Sequence, residues 1–344
     1  MAGEWSGRLR EVRAEGSSRD LGSQHGRACS DLIEKTYTVR MRRAARNRSE
    51  SDVLERAKCY IPFAERYVPE LLEEVSGLAD GAEISLAEAF FLQVATELEL
   101  AAQGCTSLGV ASVGVEPFVA QNWDQPHDSR GNQVVLHLLP IDRPAILMFT
   151  HAGTIGYIGL NSHGVGIVQN QLYAATKPMG LTGYFIIRKL LSFETVPAGL
   201  AWLRGVRIGS TCNYIVGDAL GNLVDIELGD GSFRSTERPL QLHTNHYMLP
   251  GCRSVDRVAS QLPDSGDRLM RLSTLLYDTQ NEERAVRALS DHDGYPASIC
   301  RHEEDPGLRT TASILLRLRK TEMSVCYDNP CRGEYQTYRL GTVE

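Results

Sequence analysis

The stretch Gln103-Gly104-Cys105-Thr106-Ser107 (QGCTS) divides the chain into two textures. Upstream of it, apolar residues recur at three- and four-residue spacing over 32–48, 53–68, 69–78 and 86–102, the period of helices that bury one face. The last segment has a defined start, because Ser85 followed three residues later by Glu88 forms a capping box. Gly77 and Gly81 read as turns between helical segments. Downstream of the junction the texture is short and strand-like, with β-formers gathered at 106–115, 118–121, 134–139, 145–150, 155–160 and 165–169 between Gly, Pro, Asp and Asn. A helix is predicted around 185–203, where Ile186, Ile187, Leu190 and Leu191 share a face. Strands resume at 214–217, 223–228 and 240–244, helices at 254–277 and 282–289, and strands again at 312–319, 323–327 and 336–340. Residues 1–104 thus read as a largely helical segment. Two strand groups with a helical interlude predict two sheets packed together and covered by helices.

Composition narrows the function classes. The chain has 344 residues, 42% of them apolar, and no low-complexity tract or internal repeat, so one large α/β core is expected. Formal net charge is −7, from 36 basic and 43 acidic residues, which argues against a nucleic-acid partner. The one basic run, RMRRAARNR at 40–48, reads as a solvated helix face. No apolar run approaches the ~20 residues of a membrane span, and the opening MAGEWSGRLREVRAEG lacks the apolar centre of a signal peptide. The expectation is a cytoplasmic protein with no membrane partner. The eight cysteines (29, 59, 105, 212, 252, 300, 326 and 331) make no CxxC pair and no zinc-type spacing, so they are expected to be reduced and mostly buried, with no metal site. His243 and His246 are expected on opposite faces of a strand end, which also argues against a metal.

The junction itself carries chemistry. Glycine tolerates strained or positive-φ geometry and leaves its carbonyl open to attack by a thiol on the next residue. Such an attack converts the Gly104–Cys105 amide to a thioester, and hydrolysis leaves Cys105 as a new N-terminus. A free α-amino group, with an ordinary pKa of ~7.7–8, then sits beside the thiol as its base. The structural alternative is a helix C-cap at Gly104 followed by a buried strand cysteine.

Polar clusters recur at strand ends beyond the junction: Gln121-Asn122-Trp123-Asp124, Asn161-Ser162-His163-Gly164-Val165-Gly166 with Gln169-Asn170, and His243-Thr244-Asn245-His246. Together with Leu21-Gly22-Ser23-Gln24-His25-Gly26, the LLEEVSGLADGAE segment at 71–83, the GCTS junction and the tail at 330–338, they resemble the penicillin acyltransferase family. That family comprises acyl-coenzyme A:isopenicillin N acyltransferase and related amide-hydrolysing enzymes, including N-β-alanyl-amine hydrolases. The resemblance spans nearly the whole chain and keeps the order of six motifs.

It implies a four-layer αββα sandwich of the N-terminal-nucleophile hydrolase type. Residues 1–104 would be kept as a small α subunit and 105–344 would form the catalytic β subunit, the two together one domain. Cys105 would be both self-cleavage residue and acyl-accepting nucleophile. Asp124 would support the charge network of the site, Asn245 would offer its amide to the oxyanion, and Arg309 would lie near the pocket. Thr106, Ser107 and Asn122 would have supporting roles.

Each residue has a structural alternative. Asp124 can cap a turn before Pro126, Asn245 can satisfy a strand end, and Arg309 can pair with Glu304 or Asp305. The implied reaction is hydrolysis of a linear amide of a small-molecule or peptide-like substrate through a Cys105 acyl-enzyme. The alternative outcome is N-acyl transfer from a coenzyme A thioester, bound as substrate and not as cofactor, to an amine. The absence of a peroxisomal address in the last five residues, LGTVE, weighs toward hydrolysis. Rivals of other classes are a non-catalytic binding relative and an uncleaved enzyme pairing Cys105 with a histidine.

Overall fold

The computed structural model describes residues 9–99, 103–250, 256–278, 280–302 and 307–340. A strand, β1 (Arg10–Gly16), precedes five helices: α1 (Ser18–Ala44), α2 (Glu50–Lys58), α3 (Ile61–Tyr67), α4 (Pro69–Ala82) and α5 (Leu86–Leu98). Six strands follow: β2 (Gly104–Val110), β3 (Phe118–Gln125), β4 (Gln133–Pro140), β5 (Ile146–His151), β6 (Ile158–Asn161) and β7 (Gly166–Gln171). Helices α6 (Gly183–Leu190) and α7 (Val196–Leu203) lead to β8 (Cys212–Gly217), β9 (Leu223–Gly229), β10 (Ser232–Glu237) and β11 (Leu240–His243). The remainder is α8 (Val258–Gln261), α9 (Ser265–Leu275), α10 (Glu282–Leu289), β12 (Arg309–Arg317), β13 (Glu322–Tyr327) and β14 (Tyr335–Arg339).

The strands form two sheets. One is eight-stranded, in the order β1-β4-β5-β6-β7-β8-β9-β10, and the other six-stranded, β11-β2-β3-β12-β13-β14. Val119, Trp123, Ile314 and Leu316 of the smaller sheet bury themselves against Val135, Leu147, Phe149 and Ile158 of the larger. The outer face of the larger sheet packs on α1, α4, α5, α6 and α7. That of the smaller sheet packs on Leu272 and Leu276 at the end of α9 and on Ala285, Ala288 and Leu289 of α10. The order is helix, sheet, sheet, helix, which is the αββα sandwich expected.

Several details depart from the sequence reading. β1 lies inside the segment read as helical and adds a parallel strand beside β4. The helix expected over 185–203 is two helices, because Pro197 cannot continue a preceding turn and instead opens α7, with Thr195 capping the Ala198 N–H. Gly77 and Gly81 are not turns but lie inside α4, opposite Gly22 and Gly26 of α1. A Cβ on Gly77 would sit 2.0 Å from the Arg19 carbonyl oxygen, and one on Gly22 1.8 Å from that of Glu74, so the two backbones are in direct contact. The basic run is not wholly solvated: Arg40 and Arg43 turn inward, Arg40 donating to Glu99 at 2.7 Å and Arg43 pairing with Asp128.

A candidate active site around the buried Cys105

β2 and β3 are antiparallel neighbours in a register that pairs Gly104 with Asp124 and Cys105 with Trp123. Side chains alternate across a strand, so this register splits the site between two faces. Cys105 and Trp123 face the layer between the sheets, where the Trp123 ring lies 4.6 Å from that of Tyr157 and 4.5 Å from that of His151. Thr106 and Asp124 face the α9–α10 side. A bulge in β12 between Thr310 and Ala312 places Thr310 opposite Asp124, and its hydroxyl donates to Asp124 Oδ1 at 2.7 Å.

The peptide bond between Gly104 and Cys105 is held from several directions. On its upstream side, the Gln103 N–H donates to the Tyr173 hydroxyl at 2.7 Å, and that hydroxyl donates to the Gln103 carbonyl at 2.5 Å. On its downstream side, the Cys105 N–H donates to Asn245 Oδ1 at 3.2 Å. Arg268 donates to the Cys105 carbonyl at 2.7 Å, to Thr106 Oγ1 at 2.8 Å and to Asn245 Oδ1 at 2.7 Å. Laterally, Asp124 Oδ2 would lie 3.0 Å from a Cβ placed on Gly104. Gly104 is an ordinary strand residue, not one with positive φ. Glycine is explained here by the carboxylate beside it, not by the strained geometry anticipated from sequence.

Two cations answer the buried carboxylate. Arg301 Nε stands 3.4 Å from Asp124 Oδ2, and Asp264 joins Arg301 to Arg268, whose Nε donates to it at 2.6 Å. Burial nonetheless pushes the Asp124 carboxyl up to about 6, with Arg301 and Arg268 pulling it down. Burial likewise pushes the Cys105 thiol up to about 12, and the Asp124 charge raises it further. The Asp124 backbone N–H, the Gln121 side chain and Arg268 lower it. In the intact chain the sulfur is therefore a neutral thiol.

Cys105, Asp124, Asn245 and Thr106 are thus brought into one network, which sequence reading anticipated in part. Asn245 takes an orientation different from the one anticipated: its Oδ1 faces Cys105 and Arg268, and its Nδ2 donates to the Gln171 carbonyl at 3.0 Å. Ser107 accepts from Asn170 Nδ2 at 2.5 Å on the inter-sheet side. Asn122 serves the helix layer, its Nδ2 donating to the carbonyls of Leu289 and Ile299 at 2.7 and 3.0 Å. Arg309 pairs with Asp328, and its anticipated partners Glu304 and Asp305 lie outside the described residues. His243 bonds Glu227 and His246 bonds Ser265, while their rings lie 6.5 Å apart. They do not diverge as expected, because the strand ends at His243 and the chain turns. Arg268, Arg301 and Asp264 were not found from sequence, since each is a single charged residue in polar surroundings with no motif to single it out.

A cavity of about 480 Å³ opens beside this network, lined by Gln103, Gln171, Tyr173, Lys177 and Arg257 among others. It reaches Gln103, the residue before Gly104. A separate grouping was unforeseen: His292, Cys300, His302 and Cys331 converge in space although no spacing in the sequence suggests it.

The family model described as acyl-coenzyme A:6-aminopenicillanic acid acyl-transferase matches residues 113–332, a span that holds Asp124, Asn245, Arg268 and Arg301 and begins just past Cys105. The acyl-coenzyme A:6-aminopenicillanic-acid-acyltransferase 40 kDa form of Emericella nidulans is 27% identical over 96% of this chain and 92% of its own. Among solved structures, penicillin V acylase from Agrobacterium tumefaciens aligns with a TM-score of 0.48 at 13% identity, over 70% of this chain and 87% of that one. A mutant conjugated bile acid hydrolase from Clostridium perfringens aligns with a TM-score of 0.46 at 12% identity, over 70% and 99%. No helix among the described residues is long and apolar enough to cross a membrane.

Proposed function

The chain belongs to the acyl-coenzyme A:6-aminopenicillanic acid acyl-transferase family and acts on amide bonds; from that premise we propose that it is a self-processing amidohydrolase whose nucleophile is Cys105. The observation that supports this most is the grip on residues 103–105. Tyr173 holds one side of the Gly104–Cys105 bond, Asn245 and Arg268 hold the other, and Asp124 lies against Gly104.

In the self-cleavage step, Cys105 Sγ bonds to the Gly104 carbonyl carbon, the C–N bond breaks, and the sulfur's proton ends on the Cys105 nitrogen. Water then splits the thioester, its hydroxyl going to Gly104 and its hydrogen to the sulfur. Asn245 Oδ1, which accepts from the Cys105 N–H in the intact chain, is placed to hold the resulting α-amino group. That amine takes the thiol proton, which offsets the high pKa that burial gives the thiol in the intact chain. The thiolate attacks the carbonyl carbon of a linear amide bound in the adjoining cavity, the amine departs with the proton returned by the α-amino group, and water splits the acyl thioester, its hydroxyl going to the acyl carbon and its hydrogen to the sulfur. Fragments 1–104 and 105–344 stay together as a heterodimer, because their helices and strands share the inter-layer core.

A second outcome, acyl transfer to an amine from a coenzyme A thioester, is favoured by the near-full-length match to an acyltransferase. It uses the same acyl-enzyme and differs only in what resolves it.

The test is the intact mass of freshly purified protein under denaturing conditions, wild type beside Cys105→Ala. Fragments 1–104 and 105–344 from wild type, with the variant whole, are expected. A wild-type chain that stays whole while hydrolysing amides overturns the α-amine mechanism. Incubating the processed enzyme with a coenzyme A thioester, with and without an amine, then separates hydrolysis from transfer by the product formed.

A further inference from the structure

Outside the Cys105 network, four side chains from three separate places in the sequence point their ligand atoms at one another. Cys300 and His302 lie on the segment that leads into β12, His292 precedes them on the same excursion, and Cys331 lies in the connection between β13 and β14. The four ligand atoms all fall within 4.8 Å of one another.

Four of their six separations come within about 0.4 Å of the edges of a metal tetrahedron. Zinc bonds of ~2.3 Å to sulfur and ~2.0–2.1 Å to nitrogen give tetrahedral edges of ~3.8 Å between sulfurs, ~3.5 Å between sulfur and nitrogen and ~3.3 Å between nitrogens. Here the Cys300 and Cys331 sulfurs are 3.7 Å apart. His302 Nε2 lies 3.4 Å from the Cys331 sulfur and 3.9 Å from that of Cys300. The two Nε2 atoms, of His292 and His302, lie 2.9 Å apart. The sulfurs are too far apart for a disulfide, whose S–S bond is ~2.05 Å. Asn329 Nδ2 meanwhile donates toward the Cys300 sulfur at 3.5 Å, the kind of contact that favours a thiolate ligand.

We propose that Cys300, Cys331, His292 and His302 bind a divalent cation of the zinc class in a closed tetrahedral site. Two thiolates and two imidazoles select a borderline-soft metal over magnesium or calcium. With four protein ligands no position stays open for water, so the metal is structural and takes no part in the reaction. Its effect is on position. It joins the excursion carrying residues 292–302 to the β13–β14 connection, and Arg301, which faces Asp124, lies between the two central ligands. Asn329 reinforces this join by donating to the Arg301 carbonyl at 2.6 Å. The inference stands whether or not the chain cleaves itself.

The test is the metal content of the full-length chain purified under reducing conditions, followed by replacement with Co2+. About one zinc per chain is expected, and cobalt should give thiolate-to-metal absorption and the intense visible bands of a tetrahedral site. His292→Ala, at the exposed corner, should weaken binding, and Cys300→Ser with Cys331→Ser should abolish the thiolate band. A metal-free wild-type chain that yields no such spectrum with Co2+ overturns the proposal. So does a mass two hydrogens light that traces to a Cys300–Cys331 disulfide. Because the cobalt spectrum is read on wild type, a variant that fails to fold cannot mask the answer.

Discussion

Helices α1 and α4, both in the layer that covers the larger sheet, meet each other through backbone contact, with Gly22 and Gly26 of one set against Gly77 and Gly81 of the other. Helix α9, on the opposite side of the sandwich, reaches its sheet with charge: Arg268 runs to the Cys105 carbonyl, to Asn245 and to Asp264, and Arg301 beside it runs to Asp264 and Asp124. The first arrangement fits two surfaces by leaving side chains out. The second fills the space with long cations that need buried acceptors. A carboxylate as enclosed as Asp124 is tolerable only where such cations converge, so the side of β2 and β3 that faces α9 can carry chemistry that the glycine seam cannot.

The two layers should therefore fail in opposite ways, one by subtraction and the other by addition. Subtraction should cost more. Asp264→Ala, made in the uncleaved Cys105→Ala chain, leaves Arg268 and Arg301 without their shared acceptor. Removing one partner of a buried ion pair costs about 3–5 kcal/mol, and the 16% exposure of the Asp264 side chain places this at the lower end. Urea unfolding of the two chains measures the loss. A difference below about 1 kcal/mol would mean that the cations are satisfied elsewhere and that the charged layer is not held as described.

Addition has a sign that local propensity would get wrong. Gly77→Ala lies inside a helix, where alanine alone should stabilise by about 1 kcal/mol. The new methyl would sit 2.0 Å from the backbone oxygen of Arg19, which cannot rotate away. The helices must separate, and overpacking of this kind costs about 1–3 kcal/mol, so a net destabilisation is expected. A stabilised Gly77→Ala chain would dissolve the seam and with it the contrast between the layers.

The same contrast explains what was legible in the sequence. Period-3.6 patterning made the helices visible and runs of β-formers between turn residues made the strands visible, and the change of texture at Gly104 marks where the first helical group gives way to the first strand group. β10, Ser232–Glu237, escaped because it is an exposed edge strand with few apolar residues to report a buried face. The glycine seam was misread since a glycine that permits contact and one that makes a turn look alike in one dimension. Cys105, Asp124 and Asn245 could be picked out because the segments that hold them resemble, in order, those of a known family. Arg268, Arg301 and the four-residue grouping around Cys300 could not. Their meaning lies in convergence across 23 residues between Asn245 and Arg268, or 29 between His302 and Cys331, and no local pattern encodes that.

The smallest effect bears on how completely the cations compensate Asp124. Its carboxyl has a folded pKa of about 6, above its ordinary 3.8, so the fold prefers the protonated form. The resulting stability is fully present below the ordinary value and is lost as pH rises through about 6. Between pH 5 and pH 7 linkage predicts a loss of about 1 kcal/mol from this group. Comparing Cys105→Ala with Cys105→Ala/Asp124→Asn across that range isolates it, because the other titrating groups are common to both chains. The gap between the two stabilities should shift toward the Asn variant as pH rises. Parallel curves would mean that Arg301 and Arg268 already hold Asp124 ionised at pH 5. The charged layer would then neutralise its carboxylate fully, and the readiness of Asp124 to take up a proton near pH 6, which sets it apart from an ordinary surface aspartate, would have to be given up.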